Sequence, residues 1–89
     1  MTPGGLSSED IKFPVMCHYK IIAEDLVGVK EAIEKVFLEV NIEAEVTRGR
    51  ESEMGKYIAF NADVLIHSLK LMRYIDKGLK GIKGVKVVL

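Results

Sequence analysis

The feature that most constrains this chain is its hydrophobic period, which changes twice from two residues to about 3.6 residues. Residues 15–23 alternate between two sets of side chains, which predicts a strand with one buried face. The side chains predicted to face the core are Val15, Cys17, Tyr19 and Ile21. Those predicted to face the opposite way are Met16, His18, Lys20 and Ile22.

The next stretch has the spacing of an amphipathic helix. Asp25 is predicted as its N-cap, because a carboxylate accepts hydrogen bonds from the free N–H groups at a helix start. Asn41 is predicted to mark its end. Apolar residues recur at helical spacing and form one stripe: Leu26, Val29, Ile33, Val36, Phe37 and Val40.

The second half of the chain predicts two strands, a helix and a closing strand. Residues 42–47 and 57–64 alternate, and the polar run 48–56 between them reads as a hairpin connection. A helix is predicted to begin between Ile66 and Ser68. Its apolar face is expected to consist of Leu65, Leu69, Met72, Ile75 and Leu79. The closing strand is expected to turn inward Val85, Val87 and Leu89.

The resulting order is β-α-β-β-α-β, which predicts an α+β, ferredoxin-like sandwich. Right-handed crossovers place the first and third strands in the centre of a four-stranded antiparallel sheet and both helices on one face. Residues 13–89 are predicted to form this single domain. Residues 1–12 contain two glycines, a proline and two serines and are predicted to be a flexible tail.

Composition narrows the class of protein. Cys17 is the only cysteine, so an intrachain disulfide is impossible, and an unpaired thiol favours the cytoplasm. The chain has neither an apolar run long enough for a bilayer nor the pattern of a signal peptide. Thirteen basic and thirteen acidic residues cancel, and a neutral chain lacks a general attraction for nucleic acid.

Motifs for catalysis, metals and cofactors are absent from the sequence, so no enzyme activity and no cofactor is expected. Cys17 and His18 are adjacent in a predicted strand, and their side chains therefore point to opposite faces. They cannot hold one ion together, and the chain has no Cys-x-x-Cys loop.

The uncovered sheet face is the first candidate site, for a protein partner, a small ligand or a second copy of the chain. Its predicted residues are Met16, His18, Lys20, Ile22, Tyr57, Ala59 and Asn61, with Val88 beside them. The mixture of apolar and polar side chains favours a contact surface over a fully solvated face. Scattered surface hydrophobics are the alternative interpretation. RNA binding would need aromatics on both central strands, and only Tyr57 qualifies.

A basic patch on the second helix is the other candidate site. Lys70, Arg73, Lys77 and Lys80 recur at spacings that gather them on one helix face. This patch suits an acidic partner, a phosphate-bearing ligand or, as the alternative function, nucleic acid. It also suits a solvated face that offsets the acidic first helix.

Several motifs resemble those of the YbeD-like family of small bacterial proteins. They are Phe13 followed by Pro14, Tyr19 followed by Lys20, Gly55 two residues before Tyr57, and the terminal run 85–89. The resemblance implies a ferredoxin-like fold similar to ACT domains, a regulatory or binding role, and no established activity. It supplies no catalytic residues. Ala23 stands where such proteins often have glycine, so a backbone-lined ligand loop is not expected there.

Overall fold

The computed structural model describes residues 12–52 and 54–89. Its elements are β1 (Val15–Glu24), α1 (Val29–Leu38), β2 (Val46–Glu51), β3 (Tyr57–Ile66), α2 (Leu69–Lys80) and β4 (Val85–Val88). The strands form one antiparallel sheet in the order β2-β3-β1-β4. This confirms the predicted βαββαβ order with the first and third strands in the centre. Apart from Lys12, the flexible tail predicted over residues 1–12 lies outside the described residues.

The β1–β3 pair forms the centre of the sheet. Each strand has ten residues, and the pairing runs without interruption from Val15 opposite Ile66 to Glu24 opposite Tyr57. Directly opposite residues share a face, so one continuous register sorts both strands into the same two faces. The core side of this pair buries Ile21, Ala23, Ile58, Phe60, Ala62, Val64 and Ile66.

Both helices supply apolar side chains to the core. The buried ones are Val29, Ile33, Val36 and Phe37 from α1, and Ile75 and Leu79 from α2. The rings of Tyr19 and Phe37 lie 5.9 Å apart at an angle of 56°, a tilted aromatic contact between sheet and helix. Gly78 lets the helices approach, because a Cβ there would lie 3.0 Å from Cγ1 of Val36.

The start of α1 differs from the prediction. The helix begins at Val29 after Gly28, which has φ 88°, and no side chain caps it. The carboxylate of Asp25 instead accepts two hydrogen bonds from the guanidinium of Arg48, at 3.2 and 2.9 Å. Asp25 as N-cap is therefore wrong, since a bidentate partner on β2 holds it away from the helix. Leu26, predicted for the buried stripe, is exposed.

The end of α1 and the start of α2 agree with the local rules for helix capping. Asn41, with φ 60°, follows the end of α1 and adopts the left-handed conformation that suits a helix end. Oγ of Ser68 accepts a hydrogen bond from the N–H of Leu71 at 3.1 Å and caps α2. Leu65 belongs to β3 rather than to the apolar face of α2.

The edge strand β2 begins later than predicted. It spans Val46–Glu51, so half of the polar run that was read as a turn pairs with β3. An edge strand tolerates polar side chains because only one side of it is paired and much of it faces water. Ile42 and Ala44 pack against the core from the segment before the strand.

The closing strand is reversed at its last three residues, and among them Leu89, which was expected to turn inward, pairs with Lys20 of the open face and is 67% exposed. Val85 lies opposite Ala23, but Val87 lies opposite Ile22 and Val88 opposite Ile21. Two steps on β4 therefore match one step on β1, which is a β-bulge. The prediction that Val87 faces the core and Val88 the open side is wrong, because the bulge shifts the alternation by one residue.

Replacing Ile33 tests the core. Ile33 is 0% exposed, so Ile33→Ala is expected to lower the free energy of unfolding by about 2–5 kcal/mol, and Ile33→Val by about 0.5–1.5 kcal/mol. Leu38 lies on the same helix and is 59% exposed, so it is the control. Leu38→Ala is expected to change the free energy of unfolding by less than about 0.5 kcal/mol. Urea denaturation measures all three. Equal effects at the two positions would contradict the described orientation of α1.

Replacing Arg48 tests the contact between the β1–α1 loop and β2. The hydrogen bonds from Arg48 hold the pKa of Asp25 below its ordinary value of 3.8. The stability that the Arg48–Asp25 contact adds is therefore fully present above the ordinary pKa of Asp25. It is lost as pH falls through the lowered pKa that Asp25 has in the folded protein. Arg48→Gln is expected to raise the pKa of Asp25 toward 3.8, followed by carbon NMR of its carboxyl group. Arg50→Gln, on the same strand, is the control, and an unchanged Asp25 titration in Arg48→Gln would refute the contact.

Candidate functional site

The side of the sheet opposite the helices forms an open face, which no other described element covers. On the central strands it is made of five cross-strand pairs: Met16–Leu65, His18–Asp63, Lys20–Asn61, Ile22–Ala59 and Glu24–Tyr57. The structure places on it all seven residues predicted from alternation. It adds two apolar residues that the sequence reading assigned elsewhere, Leu65 and Val87, and removes Val88.

Apolar side chains gather at two ends of the open face. The outer cluster consists of Met16 and Leu65, which are 51% and 44% exposed. The inner cluster consists of Ile22, Ala59, Tyr57 and Val87, and Val87 is 40% exposed. These side chains belong to paired residues of three adjacent strands. The clusters are therefore held by the sheet and not by loops.

A polar band separates the two clusters. In it, Nδ1 of His18 donates to Oδ1 of Asp63 at 2.6 Å, and both side chains are well exposed. Lys20 and Asn61 form the neighbouring pair. An exposed ion pair contributes only about 0–1 kcal/mol to stability, so this band adds little to the stability of the sheet and leaves polar groups at the surface.

The inner cluster borders a shallow depression of about 230 Å³. Lys20, Arg50, Ser52 and Tyr57 contribute to its lining, and Nζ of Lys56 lies 5.5 Å from the centre of the Tyr57 ring. Pockets that enclose a drug-sized ligand measure about 300–1,000 Å³. The depression therefore has room for an inserted side chain rather than for an enclosed small molecule.

Metal binding and thiol chemistry receive no geometric support. Cys17 faces the helices and His18 the open face, as their adjacency in a strand predicts. Across residues 12–52 and 54–89, no three His, Cys, Asp or Glu residues come close enough to hold a metal ion. Burial raises the pKa of the Cys17 thiol, which disfavours the nucleophilic thiolate. His18 and Asp63 do meet, but His67 makes no hydrogen bond within the described part.

The basic patch lies on the helix layer, on the other side of the sheet from the open face. Lys70, Arg73, Lys77 and Lys80 are exposed on α2, and Nζ of Lys80 pairs with Asp76 in the next turn at 2.9 Å. No ion pair between described residues joins this patch to the acidic side chains of α1. The two candidate sites are therefore separate surfaces.

A third surface was missed by the sequence reading. It is a cleft of about 510 Å³ between the first half of β1 and α2. Burial, with smaller effects of Cys17 and Asp76, raises the pKa of Tyr19 in its wall to about 12. Local spacing in the sequence does not predict this cleft, because it depends on how α2 packs against β1.

Comparison with known proteins places this architecture. The structure resembles that of the ACT domain from GTP pyrophosphokinase of Chlorobium tepidum, with a TM-score of 0.67 and 15% identity over 83% of this chain and 94% of that one. It also resembles protein HP0495 from H. pylori, with a TM-score of 0.70 and 18% identity over 97% of each chain. These likenesses show an ACT-like, ferredoxin-like fold.

At the level of sequence, a search of curated proteins found no match. The described helices include none that is long and apolar enough to cross a membrane. One family model, described as a protein of unknown function (DUF493), matches residues 8–89. That match covers the whole sheet and both helices and agrees with the YbeD-like motifs. The chain therefore belongs to the DUF493 family of proteins of unknown function.

Proposed function

We propose that this chain is a non-catalytic regulatory or adaptor module that binds a partner protein through its open face. One observation carries the proposal: the open face presents two apolar clusters, one with Met16 and Leu65 exposed and the other with Val87 exposed beside half-buried residues of the central strands. Exposed apolar surface that is bordered by polar groups is typical of protein contact sites. The thiol of Cys17 is unpaired, which further favours a cytoplasmic setting.

The shape of the face favours a protein over a small ligand. A ligand pocket is concave and encloses most of its ligand, whereas the depression beside Tyr57 holds only about 230 Å³. Tyrosine is enriched among the residues that dominate binding energy at protein interfaces. Tyr57 lies beside Ile22 and Ala59, so we expect the inner cluster to be the energetic centre of the contact.

The fold supports a role in association. The ACT domain that resembles this chain is, by its description, one domain of a GTP pyrophosphokinase. This architecture thus occurs as one domain of an enzyme. A second copy of the chain, as in a homodimer, is the other occupant that the same surface suits.

Nucleic-acid binding is less well supported. Single-stranded RNA is recognised on sheets of this topology by aromatics on the two central strands, and β1 contributes no Phe, Tyr or Trp to the open face. The basic patch on α2 is not contiguous with that face. Affinity for nucleic acid at low salt that charge reversal of Lys70 and Lys77 abolishes would favour this alternative over our proposal.

Placing a charge in the inner cluster tests the proposal. Ile22→Lys is expected to lower affinity for the native partner by about tenfold or more, because an unpaired ammonium group would be buried in the contact. Leu38→Lys, an equal change at an exposed apolar residue of α1, is expected to retain full affinity. Affinity capture from the native cell, analysed by mass spectrometry, identifies the partner, and titration of that protein gives the affinities.

Two controls accompany this experiment. Urea denaturation checks that both variants remain folded. Sedimentation of the native chain shows whether the occupant is a second copy, in which case Ile22→Lys should yield monomers. Retention of the same partner by Ile22→Lys, or capture of nothing by a strictly monomeric native chain, would refute binding through the open face.

A further inference from the structure

The first half of β1 has an unpaired edge on the side of β4. Leu89 is the last residue to pair there, and it exchanges both backbone hydrogen bonds with Lys20, at 3.2 and 2.9 Å. In an antiparallel ladder, backbone groups of alternate residues point to the same neighbouring strand. The N–H and C=O groups of Met16 and His18 therefore point to the same edge as those of Lys20, and no described residue pairs with them.

These two residues present four backbone hydrogen-bonding groups in the spacing of a strand. Such an edge is a template for another extended chain, and natural proteins use it for binding by strand addition. Cys17 and Tyr19 between and beside them direct their own backbone groups to β3 instead. The edge can therefore pair with an extended segment of about three residues. The two-residue spacing of its free backbone groups is the spacing of a β-strand.

A partly apolar cleft adjoins this edge on the helix side. It holds about 510 Å³. It is lined by residues of β1, α2 and the last position of the chain: Cys17, His18, Tyr19, Met72, Arg73, Asp76 and Leu89. A residue added opposite Cys17 or Tyr19 would direct its side chain to their face of the sheet, and hence into the cleft.

Charge selects among the extended segments that could bind. Arg73 lies at the cleft, and no described carboxylate pairs with its guanidinium. The one carboxylate of the lining, Asp76, is held by Lys80 at 2.9 Å. Lys70 and Lys77 extend the positive charge along the same helix. An incoming acidic side chain gains a charge-assisted hydrogen bond from Arg73, while a basic one meets repulsion.

We propose that the β1 edge at Met16 and His18, together with the adjoining cleft, binds an extended acidic segment of a partner protein by strand addition. Apolar side chains of that segment, spaced two residues apart, enter the cleft, and a neighbouring carboxylate meets Arg73. This site is distinct from the open face: the bound strand lengthens the sheet sideways and uses the helix side of β1. The two sites can therefore fail or succeed independently.

The probe is a blocked seven-residue peptide of alternating valine and threonine with glutamate at both ends, titrated into the full chain and followed by NMR. Shift changes are expected at the amides of Met16 and His18, whose hydrogen exchange should slow on binding. Two matched peptides serve as controls. One has lysine at both ends, and the other has N-methylated central amides that cannot donate to the edge. Both are expected to bind at least about fivefold more weakly.

Charge reversal in the protein completes the test. Arg73→Glu is expected to lower the affinity for the glutamate peptide about fivefold and to raise the affinity for the lysine peptide. Lys30→Glu, the same charge change on α1, should alter neither affinity. Ile22→Lys disrupts the open face but should leave the peptide affinity unchanged, which separates this site from the proposed function.

Several results would overturn the proposal. In the free protein, hydrogen exchange at Met16 and His18 as slow as at Cys17 and Tyr19 would show that the edge is already paired. Dimers that dissociate on addition of the peptide would assign the edge to a second copy. Equal affinity for the glutamate and lysine peptides, no binding at millimolar concentration, or shift changes confined to the open face would each exclude an acidic strand at this edge.

Discussion

The uninterrupted pairing of β1 with β3 is the interaction on which the rest of this structure depends. Ten consecutive residue pairs hold one register, so each side chain of both strands is assigned to the core or to the open face together with its partner. A slip of one residue would expose Ile21 and Phe60 and bury His18 and Lys20, at the cost of buried unpaired charge. The helices can cover only the apolar side, which leaves the other for contacts.

Edge strands add the asymmetry from which both proposed surfaces arise. On one side β2 is polar and exposed, and it is tied to the β1–α1 loop by Arg48 and Asp25. On the other side β4 is short, and it pairs with β1 only along the second half of β1. The open face results from helices packing on a single side of the sheet, whereas the β1 edge results from unequal strand lengths. Within the described residues, this ACT-like architecture thus leaves two kinds of surface uncovered, a sheet face and a strand edge.

Alternation was a sound guide wherever the pairing is continuous. Met16 to Ile22 on β1 and Tyr57 to Asn61 on β3 lie on the face that their spacing predicted, because a strand places successive side chains on opposite sides. It failed at Val87 and Val88, where a bulge between strands changes the count by one residue. Asp25 was misassigned because a local capping rule competes with a partner 23 residues away in the chain, and only packing decides between them.

By itself, the sequence determined the order of strands and helices, the buried faces of the two central strands and the solvent-facing basic patch, since all of these follow from hydrophobic period and local chemistry. The tertiary structure alone decided the bulge between β4 and β1, which way Val87 points, and that Cys17, Tyr19, Met72 and Arg73 line one cleft. Those features depend on the register between strands distant in sequence and on how a helix crosses them. Local periodicity carries no information about either.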